Sequence, residues 1–268
     1  MSIEALIFDV DGTMADTEEA HRTAFNVAFD RFGLGWNWSR SEYRELLKTT
    51  GGKERMVVYI DQLSLSAADR RRCIELLPEI HAEKTRAYSA VVSDGSVPLR
   101  VGVERLLDEA LTAGCRLAIA STTTAVNVDA LLQSTLGAGG LQMFSVIACG
   151  DQVRAKKPAP DIYQLALQHL GVEASRAVAF EDSSNGLRSA VAADLWTVVT
   201  PTFWTDGSDF SAAGLVLPHL GDPEREIPGE PGWKLQSAGY LTFDELLALS
   251  SPARPINPVH ALYQESAL

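Results

Sequence analysis

The stretch Ile3-Glu4-Ala5-Leu6-Ile7-Phe8-Asp9-Val10-Asp11-Gly12-Thr13 decides the fold. Ile3 to Val10 is a short apolar run without alternation, which reads as a strand buried on both faces and hence as part of a parallel sheet. Four later runs have the same character: Leu117–Ala120, Val146–Cys149, Ala177–Phe180 and Trp196–Thr200. Helical patterns separate them at Val103–Ala113, Ala125–Ser134, Asp161–Leu170 and Asn185–Ala193. Strand–helix alternation of this kind predicts an α/β chain on an open, Rossmann-like parallel sheet.

The interval from Asp16 to about Val91 breaks that rhythm. It reads as helices over Thr17–Phe32, Ser41–Lys48, Lys53–Gln62 and Ala67–Tyr88. Ser39 and Glu42 have capping-box spacing, as do Ser66 and Asp69. The expected organisation is an all-helical cap domain, residues 16–91, inserted into a core made of residues 1–15 and 92–268, with hinges near Asp16 and Val92–Gly95. From about residue 221 a C-terminal extension follows. Gly221 to Trp233 reads as a surface loop and Thr242–Ser250 as a short helix capped by Thr242. Ser251–Leu268, with Pro252, Pro255 and Pro258, reads as a tail lying on the core or partly disordered.

The composition, 46% hydrophobic and 22% charged over 268 residues, excludes disordered and collagen-like chains. Twenty-three Lys and Arg against 35 Asp and Glu leave a net charge of −12. That argues against nucleic acid or an anionic membrane as partner, since both need clustered cations. Arg70-Arg71-Arg72, the only basic run, reads as a solvated helix face. Cys73, Cys115 and Cys149 are odd in number and far apart, which argues against structural zinc or a disulfide framework and fits a reducing cytosol. No apolar run approaches the ~20 residues of a membrane span. Met1-Ser2-Ile3-Glu4 lacks a basic n-region, so no signal peptide is expected.

Ligands of open α/β sheets bind beyond the carboxyl ends of the strands. There the successive strands deliver Asp9-Val10-Asp11-Gly12-Thr13, Ser121-Thr122-Thr123, Gly150-Asp151 leading into Lys156-Lys157-Pro158, and Glu181-Asp182-Ser183. Two carboxylates ~4 Å apart at an effective dielectric of ~20 repel by about 4 kcal/mol. Such acids need a shared proton or a cation between them, and an all-carboxylate set favours a hard ion such as Mg²⁺. Ser121, backbone amides and lysine suit phosphate oxygens. Carboxylate nucleophile, metal and phosphate clamp together point to phosphoryl transfer through an aspartyl-phosphate.

Asp9-x-Asp11-Gly12-Thr13, Ser121, Lys157-Pro158 and Glu181-Asp182 resemble the four motifs of the haloacid dehalogenase superfamily, phosphatase branch, over about residues 1–220. A helical insert after the first motif is similar to its C1-capped subfamily. Asp16-Thr17-Glu18-Glu19-Ala20-His21-Arg22, Trp36-Asn37-Trp38 and Gly51-Gly52-Lys53-Glu54-Arg55 resemble the CbbY-type group within it. That resemblance implies a cytoplasmic, Mg²⁺-dependent phosphatase of carbohydrate metabolism. Its implied substrate is xylulose 1,5-bisphosphate, a Rubisco inhibitor of the Calvin cycle. The implied partner is a small phosphorylated sugar, and a monomer is the simplest assembly the sequence admits. It further implies Asp9 as nucleophile and Asp11 as general acid/base. Mg²⁺ would be held by Asp9, the Asp11 main-chain carbonyl, Glu181 and Asp182, with Asp182 the more direct ligand. Ser121, with the Thr122 amide beside it, would hold the transferring phosphoryl group, and Lys157 would neutralise it. From the cap, Arg55 would grip a second phosphate, Gly51, Gly52 and Lys53 would approach it, and Glu18 and His21 would meet sugar hydroxyls and the acid/base residue.

Plainer readings stand beside these. Ser121 could serve as a helix N-cap, and Lys156 rivals Lys157. Arg55 could face solvent, Gly51-Gly52 could be an interhelical turn, and Glu18 and His21 could cap or pack. Trp36 and Trp38 read as lid core, His81, His169, His219 and His260 as structural or surface, and Gly137-Ala138-Gly139-Gly140 as a turn. A β-phosphoglucomutase-like mutase or a phosphoglycolate-type phosphatase would use the same four motifs. A non-catalytic binding protein on this scaffold would have lost a nucleophile or metal ligand, and Asp9, Asp11, Lys157 and Asp182 are all present.

Overall fold

The computed structural model describes residues 3–228, 235 and 239–250. Its sheet contains β1 (Ala5–Phe8), β2 (Arg116–Ala120), β3 (Phe144–Ala148), β4 (Ala177–Glu181), β5 (Trp196–Val199) and β6 (Leu215–Val216), in the spatial order β3-β2-β1-β4-β5-β6. Every pairing is parallel. The five expected strands are present; β6 escaped the sequence reading because two residues make no run. The central strand explains the missing alternation. Leu6 and Phe8 point into one apolar cluster and Ala5 and Ile7 into another, on opposite faces of the sheet. On the Leu6/Phe8 face lie α5 (Val103–Thr112), α6 (Ala125–Leu136) and α9 (Phe243–Leu249). On the other lie α7 (Asp161–Leu170) and α8 (Ser184–Ala192).

Register fixes the site. Phe8 is level with Ile119 of β2 and Phe180 of β4. The chain therefore leaves three neighbouring strands at one edge, with Asp9, Ser121 and Glu181-Asp182 beginning the exits.

Between β1 and α5 lie α1 (Glu18–Arg31), α2 (Arg40–Leu46), α3 (Gly52–Gln62) and α4 (Ala67–Ser93). These helices have their own aromatic core, in which Trp38 is fully buried among Phe25, Phe29 and Tyr43, as the lid-core reading held. Asn26 clamps the Trp38 backbone from both sides, at 2.8 and 3.0 Å. Ser39 and Glu42 form the reciprocal capping box. Ser66 instead accepts from the Asp69 amide and donates to the Asp69 carboxylate, so only half of that box forms. Helix α4 passes through Pro78 and ends five residues beyond the expected Tyr88. Its last turns continue because Tyr88 and Val92 pack into the core cluster beside Phe8.

Two further expectations need correction. Gly137–Met143 is a 3-10 helix and not a plain turn. Within Gly221–Trp233 the described part is not all surface: Ile227 is buried with Leu220 and Leu241. The remainder of that loop and the tail Ser251–Leu268 lie outside the described residues. Thr242 caps α9 through the Glu245 amide. No described helix is long and apolar enough to cross a membrane.

Candidate active site

At the exit of β1, Asp9 is buried against the Lys157 ammonium, which lies 2.7 Å from Asp9 Oδ1 and 2.6 Å from Glu181 Oε1. Lys156 does not compete for this place; it pairs with Glu54 of α3 at 3.1 Å. Glu181 Oε1 also accepts from the Tyr163 hydroxyl at 2.5 Å. Gly12 takes φ +88°, and a Cβ there would stand 2.2 Å from Asp182 Oδ2, so the turn that aims both acids presses directly on a third.

Carboxylate oxygens of Asp9, Glu181 and Asp182 all lie within 4.8 Å of one another, and all three residues are buried. Burial pushes Asp9 up to about 7 against the pull of Lys157, with Glu181 and Asp11 adding to the rise. Burial, then Asp9 and Glu181, hold Asp182 well above the usual carboxylate range. Lys157 is raised: burial alone would lower it, and Asp9 and Glu181 outweigh burial. Arg100 attracts Asp182 but does not offset burial and the neighbouring acids. Lys157 pairs with two of the three buried acids, and this oxygen-only donor set fits a hard divalent cation.

Asp11 is held differently. Its Oδ1 accepts from Thr17 at 2.6 Å and meets His21 Nε2 at 2.9 Å. Behind it, Lys84 Nζ lies 2.7 Å from His21 Nδ1. An ammonium only donates, so Nδ1 accepts and Nε2–H points at Asp11. Burial would raise Asp11, but His21, Thr17 and Lys84 together pull it down to about 2. Lys84 itself is lowered to about 8 by burial. This arrangement favours the ionised form of Asp11.

The cap end of the same cavity, of about 120 Å³, is lined by Glu18, His21, Gly51, Gly52, Lys53 and Arg55. From the core, Asp9, Asp11, Thr122, Lys157 and Asp182 line it. Arg55 is 8% exposed; its Nη1 donates to the Tyr43 hydroxyl at 3.0 Å, and that hydroxyl donates to Glu18 Oε2 at 2.8 Å. The solvent-facing alternative for Arg55 is therefore excluded. Gly51, at φ +96°, precedes α3 and opens its first turn towards the cavity. A wider groove between α5 and α9 contains none of these groups.

Two expected residues stand behind the wall. Glu181 does not line the cavity, and neither does Ser121, which is 1% exposed with its hydroxyl accepting from the Thr123 amide at 3.2 Å. Ser121 is not the N-cap of α6 either; that position is Thr124. His81 reads differently from its sequence assignment: it lines the cavity against Gly52, and burial, then Lys84, Lys53 and Lys156, depress it to about 3. Lys84, Thr17, Tyr43, Tyr163 and Asn185 were not anticipated. Lys84 did leave a signal, since it sits on the helical stripe Leu77–Ile80–Lys84–Tyr88, where an apolar residue is expected.

A family model for haloacid dehalogenase-like hydrolases matches residues 6–200. The chain is 50% identical over 226 residues to the plasmid-encoded CbbY protein of Cupriavidus necator, covering 84% of this chain and 89% of that one. It is 50% identical over 220 residues to CbbY of Rhodobacter capsulatus, covering 82% and 95%. Among solved structures, a CbbY variant from Rhodobacter sphaeroides in complex with xylulose 1,5-bisphosphate superposes with a TM-score of 0.76 at 45% identity, covering 82% of this chain and 96% of that one.

Gly12→Ala tests the crowding at the turn. Backbone strain at positive φ costs of order 1–3 kcal/mol, and the new methyl would displace Asp182. Urea unfolding should show a lower midpoint at an unchanged slope, the product of slope and midpoint falling by that amount; an unaltered midpoint would mean that the turn relaxes freely.

Proposed function

The chain belongs to the haloacid dehalogenase-like hydrolase family, and from that membership we propose that it is a Mg²⁺-dependent phosphatase hydrolysing xylulose 1,5-bisphosphate through an aspartyl-phosphate. One observation carries the reading. A single cavity has buried acids around a lysine at one end and cap cations at the other. That polarity suits a small molecule with a phosphate at each end. The relatives named CbbY, one of them solved with this bisphosphate, support the choice of substrate.

In this reading Asp9, Glu181, Asp182 and the main-chain carbonyl of Asp11 hold Mg²⁺. The bound ion supplies positive charge that keeps the buried acids ionised and draws electron density from the phosphoryl oxygens. A carboxylate oxygen of Asp9 attacks phosphorus, and the bond from phosphorus to the sugar oxygen breaks. Lys157 neutralises the charge gathered on the phosphoryl group, and Ser121 with the Thr122 amide fixes its orientation. Asp11 delivers a proton to the leaving sugar oxygen; it then takes one from water, which attacks phosphorus and frees Asp9 and inorganic phosphate. The His21–Thr17 cradle favours the ionised form of Asp11 that the second step needs. The incoming phosphate dianion, a like charge, raises its proton affinity for the first.

Residues 16–91 serve as the cap that closes over substrate and excludes water. Lys53 and Arg55 meet the phosphate that is not transferred, the Gly51-Gly52 turn lets backbone amides approach it, and Glu18 and His21 meet the sugar. One chain supplies the whole cavity, so the reading needs no partner subunit. Three buried free thiols suit the reducing cytoplasm.

Phosphate release from xylulose 1,5-bisphosphate should require Mg²⁺, vanish in EDTA and return on Mg²⁺ addition; full turnover after rigorous metal removal overturns the metal assignment. Asp9→Asn should abolish turnover while still binding the bisphosphate in calorimetry. Residual turnover within about tenfold of wild type, a mere 1.4 kcal/mol of barrier, removes Asp9 as nucleophile.

Arg55→Ala removes a charge-assisted contact worth roughly 1.5–3 kcal/mol. The ratio of kcat/KM for the bisphosphate to that for para-nitrophenyl phosphate, which has no second phosphate, should fall about 10–150-fold. Arg55→Lys should restore only part, because it keeps charge without the planar fork. An unchanged ratio places the second phosphate elsewhere.

A further inference from the structure

Between β5 and β6 the core sends out the segment Pro201-Thr202-Phe203-Trp204-Thr205-Asp206. Trp204 is 4% exposed, yet it belongs to the aromatic cluster of α1–α4 and not to the clusters flanking the sheet. Its ring meets Tyr43 edge-on, with centroids 5.7 Å apart and planes at 88°. Helix α2 clasps the same loop from outside: the Arg40 guanidinium lies 4.9 Å from the Phe203 ring, and Arg44 Nη2 donates to the Asp206 carbonyl at 2.7 Å.

The loop holds its own shape. Thr205 Oγ1 accepts from the Thr202 amide at 3.0 Å and Thr202 Oγ1 from the Trp204 amide at 3.2 Å. Its root is pinned by Arg100, which donates to the carbonyls of Pro201 and of Gly12 in the nucleophile turn. Trp204 is thus presented by an element bonded to the chemical end of the site.

Tyr43, the residue it wedges, is the link to the other end. Its hydroxyl accepts from Arg55 and donates to Glu18, two cavity-lining groups of opposite charge. A hydroxyl satisfied on both sides stays in register only while its ring does. We propose that Trp204 is a positioning residue for the distal-phosphate end of the cavity: by wedging Tyr43 it holds Arg55 and Glu18 in place. Three of the four groups come from the cap and Trp204 from the core, so this end is complete only when α2 sits on the core loop. The inference rests on reading Arg55 as the distal-phosphate contact.

The test uses the full chain with Mg²⁺ and two substrates, xylulose 1,5-bisphosphate and para-nitrophenyl phosphate. Trp204→Ala should lower the bisphosphate-to-reporter ratio of kcat/KM by about tenfold to a hundredfold, as misplacement of a binding group by about 1 Å does, and through KM more than kcat. Trp204→Phe should recover most of that ratio. Added to Arg55→Ala, Trp204→Ala should lower the ratio by less than about threefold further, since coupled residues are not additive. Equal loss on both substrates, or full additivity with Arg55→Ala, overturns the proposal.

If Arg55→Ala alone leaves the ratio unchanged, the distal-phosphate reading fails by itself, and hydrogen exchange then decides the part played by Trp204. Faster amide exchange across residues 40–46 in Trp204→Ala, with 5–8 unchanged, supports the wedge; unchanged exchange there overturns it.

Discussion

The Lys157 ammonium, bonded at once to Asp9 and Glu181, is the contact on which the site depends. Buried at 4% exposure, it keeps its charge because the attraction of Asp9 and Glu181 outweighs the cost of burial. The three residues leave the sheet from different strands. Asp9 follows central β1, Glu181 ends β4, and Lys157 lies between the edge strand β3 and α7. Only a parallel order that puts all their carboxyl ends at one edge brings them together. Lys157 also leaves the cluster short of positive charge. Arg100 adds attraction towards Asp182, yet Asp182 stays strongly raised, and that shortfall is what a divalent cation would meet.

Polarity along the cavity follows from which half of the chain builds each end. The core supplies Asp9, Asp11 and Asp182 around Lys157, and the helical block supplies Lys53, Arg55 and Lys84 beside Glu18. A protein of net charge −12 can therefore attract an anion locally, because these cations line one cavity. Asp11 sits where the two halves meet. It arrives on the β1 turn, but its proton affinity is set by Thr17 and by His21 of α1, and behind His21 by Lys84 of α4. Any movement of those helices away from the core would remove the groups that keep Asp11 ionised.

Legibility in the sequence followed the range of the interaction. Strands buried on both faces announce themselves as short apolar runs, and acids at their ends stand out because burial makes them costly. That is why the sequence places Asp9, Glu181 and Asp182 together at the strand ends, where the structure also has them. Lys157 needed the family pattern, since Lys156 is chemically its equal in the sequence; only the fold shows that one faces Asp9 and the other Glu54. Lys84 and His81 were passed over because their role comes from packing across α1 and α3, not from neighbours in the chain. Trp204 was invisible for the same reason: it lies in a core loop but belongs to the cap's aromatic cluster. Strand β6 and the last turns of α4 were missed because they owe their conformation to pairing with Val198 and to burial beside Phe8.

Three of the points at which the helical block is tied to the core lie close in the chain to the chemical end. Lys156, next to Lys157, pairs with Glu54. Asn185, three residues after Asp182, donates to the Lys48 carbonyl at 3.1 Å and to Thr50 at 3.0 Å. Trp204 stands four residues beyond Thr200, whose amide bonds the Glu181 carbonyl at 2.8 Å. These three ties lie one, three and four residues from Lys157, Asp182 and Thr200. A short segment of backbone has few soft φ/ψ dihedrals, which limits how far its two ends can move apart. The helical block and the acids beside Lys157 are therefore joined through short stretches of chain. Substrate that engages the cap end would help to align groups it does not touch, which is how binding energy remote from the reacting bond can be expressed in the transition state.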